Sequence, residues 1–246
     1  MEVKVNAIVS RAVDFKDNDK ILTLFSLEKG KITAGIKGVK KAGAKLKFAS
    51  EPFSFSEYIL AEKNGRYTVI NASYVDSFYN LRLSMDRYYI SACISDVINN
   101  LIEDGMVEPL IFKATLSAVK NVAYEGNEKQ TLALYLYLIC EYLGYGINVL
   151  DCCGCNEEIK GRVFFRYFDA TFCCENCRAE NYSEITLDTY QALRIISKCD
   201  FDSVLSVSIE DEKINKLLKF LFFYLSVKTD VKLKSANSLI EFISSK

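Results

Sequence analysis

Two cysteine pairs, each with two residues between its members, dominate residues 150–180 of a chain that contains no histidine. Eighteen residues separate the pairs. A four-thiolate zinc site needs such spacing, because each turn supplies two sulfurs and the loop returns the second pair to the first. This segment is therefore expected to fold back on itself around one structural zinc ion. The expected ligands are Cys152, Cys155, Cys174 and Cys177.

Neighbouring cysteines leave the identity of the ligands partly open. Cys153 and Cys173 adjoin the two pairs but break the spacing, so either could replace its neighbour. Gly154 favours the chosen set, because such a knuckle needs a residue that tolerates unusual backbone angles beside the sulfurs. The remaining cysteines lie among apolar residues and are expected to be buried free thiols. They are Cys93, Cys140 and Cys199.

Disulfide bonds are the alternative use of paired cysteines, and they depend on the compartment. The N-terminal residues alternate apolar and polar side chains and lack the continuous apolar stretch of a secretory signal. The longest apolar run, Leu132–Cys140, has nine residues, far fewer than the ~20 that span a bilayer. We therefore expect a cytoplasmic protein without a membrane partner, in which cysteine pairs more often bind metal than form bridges.

Positive charge is concentrated in one segment. Seven lysines and no acidic residue lie between Lys29 and Ser50, and subtracting their charge from the net −1 leaves −8 for the rest of the chain. A basic strip on an otherwise acidic protein indicates local contact with a polyanion, although a solvated lysine loop is the common alternative. The part around Lys37–Gly43 lacks the glycine spacing of a phosphate-binding loop. We interpret it as a mobile loop that follows a phosphate backbone.

Aromatic residues are interleaved with these lysines, and exposed ones would stack on unpaired bases. Most of them are expected to fill a protein core, so we predict that no more than one or two are exposed for stacking. The six candidates are Phe15, Phe48, Phe53, Phe55, Tyr58 and Tyr67.

Hydrophobic periodicity divides the chain into two parts. Up to about residue 76 apolar residues alternate in short runs separated by turns, and a small five-stranded β-barrel of OB type fits this pattern. From about Ser77 the period changes to that of helices, and Ser235 is expected to cap the last helix. We predict an α+β protein with an OB-fold domain at 1–76 and a mainly helical domain at 77–246. The zinc knuckle is inserted into the second domain at about 150–180, where Val163–Tyr167 forms a short hairpin.

No catalytic constellation is visible in the sequence. The absence of histidine removes Ser-His-Asp and Cys-His catalysis, and four thiolates would close the coordination shell that a catalytic zinc keeps open. There is also no strand followed by a nucleotide-binding GxxxxGK[ST] motif. The chain is therefore not expected to be an enzyme or to have a small-molecule substrate, and no residue is assigned a catalytic role.

Several short segments accompany the cysteine pairs and the lysine strip. They are Asp19–Leu22, Leu24–Phe25, Glu28–Gly30, Lys37–Lys41, Pro52–Phe53, Leu143–Gly146 and Leu233–Ser235. Taken together, these motifs resemble the RecO family of recombination mediator proteins, over nearly the whole chain. Two departures from the family pattern fall around the knuckle: Asn156 replaces a glycine after the first cysteine pair, and Asp169-Ala170 replaces a Gly-Gly pair before the second.

The resemblance implies a non-enzymatic DNA repair protein with an OB-fold, a helical domain and a zinc knuckle. Such proteins bind single- and double-stranded DNA, anneal strands, engage the tail of single-stranded DNA-binding protein, and act with RecR to load RecA. They work in the cytoplasm at the nucleoid. DNA contact is carried over to Lys37, Lys40 and Lys41, where lysine 40 replaces an arginine and loses its bidentate fork. Charge and proximity in sequence add Arg11, Lys45 and Lys47.

Two other functions compete with DNA binding. In the first, the chain is a protein-interaction scaffold stabilised by zinc, and the lysines only keep it hydrated. In the second, it is a zinc enzyme, which would lose activity on removal of zinc while its fold persists. The lysine strip favours DNA binding over both.

Overall fold

The computed structural model describes residues 1–244, so the last two residues of the predicted second domain lie outside the described residues. As the sequence predicted, the chain begins with a closed five-stranded barrel of OB type. Around the barrel the strands follow the order β1-β2-β3-β5-β4, and β4 pairs back to β1. The strands are β1 (Glu2–Phe15), β2 (Asp19–Ser26), β3 (Gly30–Ile36), β4 (Phe55–Lys63) and β5 (Arg66–Asp76).

Alternation of side chains builds the barrel interior. Val5, Ala7 and Val9 on β1 and Leu22 and Leu24 on β2 are fully buried and belong to one apolar cluster. Because successive residues of a strand face opposite sides, the residues between them lie on the outer face. A register shift between Val9 and the next paired residue marks a bulge in β1.

One turn of the barrel depends on glycine for two reasons. Gly30, at the start of β3, has a φ of +64°, and a Cβ there would lie 2.0 Å from the carbonyl oxygen of Met106. The backbone N–H of Gly105 also donates to the carbonyl of Lys31 at 2.8 Å. The backbone around residues 104–106 therefore lies directly against the beginning of β3.

Contacts within the chain group Met1–Ala123 into one compact unit and the residues from Tyr124 onward into a second. The first unit contains the barrel, helix α1 (Met85–Leu101) and nearly all of helix α2 (Pro109–Tyr124). The domain boundary between 76 and 77 stays a prediction.

Among the described residues, the second unit contains four α-helices and a small sheet. The sheet has the order β7-β6-β8, with antiparallel pairs, and β6 and β7 form the hairpin expected near residue 163. The last helix begins at Lys234, so Ser235 lies inside its first turn and not at the cap position. The elements are α3 (Glu128–Tyr142), β6 (Val163–Arg166), β7 (Thr171–Cys174), β8 (Ser183–Ile185), α4 (Leu187–Ile196), α5 (Asp211–Thr229) and α6 (Lys234–Ser244).

Aromatic side chains connect the hairpin to the helices of this unit. Phe165 on β6 lies 4.7 Å from Phe172 on β7 and 5.1 Å from Phe220 on α5, measured between ring centroids. One face of the hairpin is thereby part of the hydrophobic core. Within residues 1–244, no helix combines the length and the apolar character that crossing a bilayer requires.

Candidate nucleic-acid interface and metal centre

The lysine segment, which we define as residues 37–47, is a series of backbone turns, and its mobility stays a prediction. The N–H groups of Lys41, Ala44 and Lys47 each donate to the carbonyl three residues earlier, at 3.2–3.3 Å. Between the exposed lysines, Val39 is buried and Leu46 half-buried against the barrel core. The segment is therefore packed on the barrel, with its charged side chains outside.

All six residues predicted to contact nucleic acid are exposed. Five of them, including Arg11 on β1, have no carboxylate within ion-pair distance among the residues that the structure describes. Lys40 differs, because its Nζ lies 2.7 Å from Oδ2 of Asp14. The hydrogen bond from Lys40 lowers the pKa of the Asp14 carboxyl. Part of the charge of Lys40 is thus already compensated. The five are Arg11, Lys37, Lys41, Lys45 and Lys47.

Another lysine of the basic strip has a structural role. Lys31 is buried, and its Nζ donates to the carbonyl of Asn99 at 3.1 Å and lies 3.3 Å from the carboxylate of Asp104. Fewer than the seven lysines counted in the sequence are therefore free to contact a ligand.

A cleft of about 390 Å³ lies between the β1–β2 turn and the start of the lysine segment. Lys16, Lys37 and Lys41 line it together with Asp17 and Asp19. The Asp19 carboxylate is already engaged, since it accepts a hydrogen bond from the N–H of Gly38 at 2.8 Å. Sequence reasoning missed Lys16, although OB folds commonly bind ligands with the loop between their first two strands.

Of the six aromatic residues considered for base stacking, five are buried or half-buried. Tyr58 is fully buried and donates its hydroxyl hydrogen to the carbonyl of Ala49 at 2.8 Å. Phe48 lies against Tyr74, with 5.8 Å between ring centroids. Phe15 alone in this set is exposed, with 46% of its surface accessible.

The four cysteines selected from spacing come together in the second unit. Their sulfur atoms all lie within 4.8 Å of one another, and Sγ of Cys174 lies 3.7 Å from that of Cys152 and 4.0 Å from that of Cys155. A tetrahedral zinc with bonds of ~2.3 Å would separate its sulfur ligands by ~3.8 Å. The cluster, completed by Cys177, therefore has the donors and the dimensions to hold a metal ion.

Gly154 is required here for closeness, not for an unusual backbone angle. It is not among the glycines with positive φ, but a Cβ at this position would lie 2.7 Å from Cβ and 2.9 Å from Sγ of Cys177. The two turns of the knuckle thus approach each other across a residue that has no side chain. This corrects the conformational argument drawn from the sequence.

The two additional cysteines lie outside the cluster. Cys173 is fully buried and adjoins Cys174 on β7, so the two side chains face opposite sides of the strand. Cys153 is exposed, and its sulfur lies 3.2 Å from the hydroxyl of Tyr182. Neither sulfur is brought together with the group of four.

Ionisation of the cluster is uneven without a cation. Burial opposes ionisation of Cys152, but hydrogen bonds from backbone N–H groups of Cys174, Cys155 and Gly154 lower its pKa to about 6. Hydrogen bonds with the thiols of Cys174 and Cys152 instead raise the pKa of Cys177. A divalent cation between the sulfurs would favour all four thiolates, as metal binding by cysteine requires.

Both departures from the family pattern fall at positions of left-handed backbone. Asn156 has a φ of 58° and Ala170 a φ of 55°. Asparagine tolerates this region, whereas alanine is strained there because its Cβ crowds the following carbonyl. The knuckle therefore has left-handed backbone at two positions that carry residues other than glycine.

The chain is an OB-fold protein with a metal-binding type of cysteine knuckle. Its closed barrel carries exposed lysines, and its helical unit carries the four clustered cysteines. A family model described as Recombination protein O N terminal matches residues 1–78. A second model, described as Recombination protein O C terminal, matches residues 82–237. The chain belongs to the RecO family and is a DNA repair protein of that family.

Curated relatives named DNA repair protein RecO match over nearly their whole length. The relative from Caldicellulosiruptor saccharolyticus is 24% identical over 234 residues, which cover 94% of this chain and 96% of the relative. That from Clostridium perfringens is 25% identical over 240 residues, covering 96% and 97%. That from Shouchella clausii is 27% identical over 235 residues, covering 94% and 91%.

Proposed function

We propose that this chain is a non-enzymatic recombination mediator that binds single- and double-stranded DNA through the lysine segment of its barrel. The observation that carries the proposal is the set of exposed lysines without carboxylate partners in residues 1–244. Lys37 and Lys41 share the cleft with Lys16, while Lys45 and Lys47 follow along the same segment. Ammonium groups arranged in this way neutralise phosphates and release condensed counterions, without reading base sequence.

The test is a change of Lys37, Lys40 and Lys41 to glutamine in one variant. Each lost phosphate contact reduces the slope of log affinity against log salt by about 0.9 for duplex and about 0.7 for single strands. We expect the slope to fall by roughly two units on duplex and less on single strands, because Lys40 already pairs with Asp14. Fluorescence anisotropy with both DNA forms, titrated with salt, gives the slope.

A matched control removes the same charge elsewhere. Lys113 and Lys120 on α2 and Lys198 after α4 are exposed, and their change to glutamine is expected to leave the salt slope of the wild type nearly unchanged. Equal affinity of the wild type and the first variant at low salt would contradict the proposal. A protein that shows no salt-dependent DNA binding but retains a protein partner would favour the scaffold function instead.

The same proposal assigns zinc to the cysteine cluster in a structural role. Four thiolates complete a tetrahedral shell and leave no position for water or substrate, which supports a non-enzymatic protein without a small-molecule substrate. Cys152, Cys155, Cys174 and Cys177 would hold the ion, and their turns and the hairpin would be fixed by it. One zinc per chain is the expected stoichiometry.

The family supports the remaining parts of the proposal. We assign this chain a cytoplasmic role at the nucleoid, where it anneals strands and cooperates with RecR to load RecA. It would reach DNA covered by single-stranded DNA-binding protein through the tail of that protein. The support for these partners is membership of the RecO family, and for DNA itself it is the charge of the barrel surface.

A further inference from the structure

An exposed part of the barrel's outer face begins on β1. Ala12 packs against the barrel interior and pairs with Leu22, whose side chain is fully buried there. Because side chains alternate along a strand, Arg11, Val13 and Phe15 must lie on the opposite, outer face. Val13 and Phe15 each expose 46% of their surface, and Arg11 is exposed as well.

The surface continues across β2 and β3 with little relief. Val13 on β1 pairs with Ile21 on β2, and Ile21 pairs with Gly35, which lies within the length of β3. Gly35 does not have a positive φ, and a Cβ built on it meets nothing within 4 Å. A glycine inside a strand weakens it and often marks a place where a ligand approaches. Nothing within the barrel itself therefore requires a glycine here.

Packing within the first unit limits this surface on one side. Phe25, farther along the outer face of β2, lies 5.6 Å from Phe112 on α2. Ser10 donates a hydrogen bond to the side chain of Asn99 on α1 at 2.8 Å. The open part is therefore the part next to the β1–β2 turn, where the cleft with Lys37 and Lys41 begins.

Phe15 stands where this apolar surface meets the charged cleft. Lys16, its neighbour in sequence, lines the cleft and holds its Nζ 5.4 Å from the centroid of the Phe15 ring. An aromatic face beside ammonium groups suits a nucleotide, because the base stacks on the ring while the phosphate meets the cation.

We infer that the outer face of β1–β3, formed by Arg11, Val13, Phe15, Ile21 and Gly35, is a base-stacking surface on which Phe15 favours single-stranded over double-stranded DNA. The inference rests on the proposed binding of DNA by the barrel. In a duplex the faces of the bases are covered by their neighbours, so only a single strand can offer a base to the ring. The lysines contact phosphates, which both forms of DNA present.

The first experiment compares Phe15→Leu and Phe15→Ala with the wild type on oligothymidylate and on a duplex of equal length. Loss of one stacked base is expected to weaken single-strand binding by about 5- to 150-fold, with an unchanged salt slope. Duplex binding is expected to change less than about twofold, because no base is stacked there. Tyr79→Leu is the matched control, since Tyr79 is 61% exposed and lies outside the barrel strands.

A direct readout is available because the chain contains no tryptophan. In a Phe15→Trp variant the single indole should be quenched by oligothymidylate and not by duplex, whereas Tyr79→Trp should respond to neither. Equal weakening of both DNA forms by Phe15→Ala, or no weakening with an unquenched Phe15→Trp, would overturn the stacking role while the triple lysine effect remained. Absence of DNA binding by the wild type would overturn this inference and the proposed function together.

Discussion

The barrel and the cysteine knuckle, residues 152–177, are stabilised in different ways. The barrel closes its five strands around a continuous apolar interior, to which every strand contributes side chains. The knuckle contains the β6–β7 hairpin, one aromatic face of which lies in the core, and its turns meet at four sulfur atoms. Strand pairing and apolar packing hold the first region together, whereas the second also brings together four thiols that become thiolates together only around a cation.

In the barrel, the residues proposed to bind DNA differ from those that stabilise the fold. In the knuckle, the candidate metal ligands are also the residues that connect its turns. Lys37 and Lys41 lie on the outside of the barrel, so their replacement leaves the apolar interior intact. Cys152 and Cys174 lie at the centre of the knuckle, so their replacement removes what connects its two turns. Changes to the candidate sites should therefore reduce binding in the barrel and local order in the knuckle.

Removal of zinc is expected to have the largest effect. Structural zinc contributes an apparent free energy of roughly 10–16 kcal/mol in small zinc-binding peptides, which is also folding free energy. A strong chelator should unfold the segment 150–180, while amides of the barrel strands stay protected from exchange. Hydrogen exchange read residue by residue, together with zinc analysis, measures both regions in one sample.

Serine substitutions identify which cysteine sulfurs bind the zinc ion. Cys153→Ser should retain one zinc per chain, because this exposed sulfur contacts Tyr182 and not the cluster. Cys173→Ser should retain it too, although burial of a hydroxyl lowers stability by about 1–3 kcal/mol. A metal-free protein with full protection of the knuckle would contradict the structural role of zinc.

Local patterns in the sequence predicted the strands of the barrel and the cysteine cluster of the knuckle. Alternation predicted the five strands, and Asn64-Gly65, with φ of 51° and 72°, forms the turn between β4 and β5. The cysteine spacing likewise predicted which sulfurs approach one another. The strands and the turn are determined by residues close together in the chain, whereas the approach of the two cysteine pairs followed from a known metal-binding spacing.

Long-range contacts were not predictable in the same way. Asp14 pairs with Lys40, and Asp104 pairs with Lys31, although many residues separate the partners in the sequence. These pairs decide which lysines remain free. The close approach of Gly154 to Cys177 is equally a tertiary contact, which is why backbone freedom was a mistaken reason for the glycine.

Gly154→Ala is expected to have the second largest effect, by forcing the turns of the knuckle apart. The added methyl group would meet Cys177 at 2.7 Å, and overpacking of this kind costs about 1–3 kcal/mol. Gly161→Ala is the control in the same region, because a Cβ there meets nothing within 4 Å. Thermal unfolding and competition for zinc with a chromogenic chelator measure the change.

The two alanine variants also test how rigid the knuckle is. If Gly154→Ala binds zinc as tightly as Gly161→Ala, the turns can separate without loss of the site, and the knuckle is more adaptable than its contacts indicate. A weaker affinity confined to Gly154→Ala would show that the approach of the two turns is part of metal binding. The barrel should be equally stable in both variants.

Ala170→Gly is expected to have the smallest effect and the opposite sign. Relief of the left-handed conformation contributes roughly 1–2 kcal/mol, and the greater freedom of glycine in the unfolded chain offsets about 0.5–1 kcal/mol of it. The net stabilisation should be below about 1.5 kcal/mol in chemical denaturation of the zinc-loaded protein. Asn156→Gly is the comparison, since asparagine tolerates a φ of 58° and offers little strain to relieve. A loss of stability in Ala170→Gly would mean that the buried methyl group contributes more by packing than it costs in strain, and that the hairpin resembles the barrel in depending on its core.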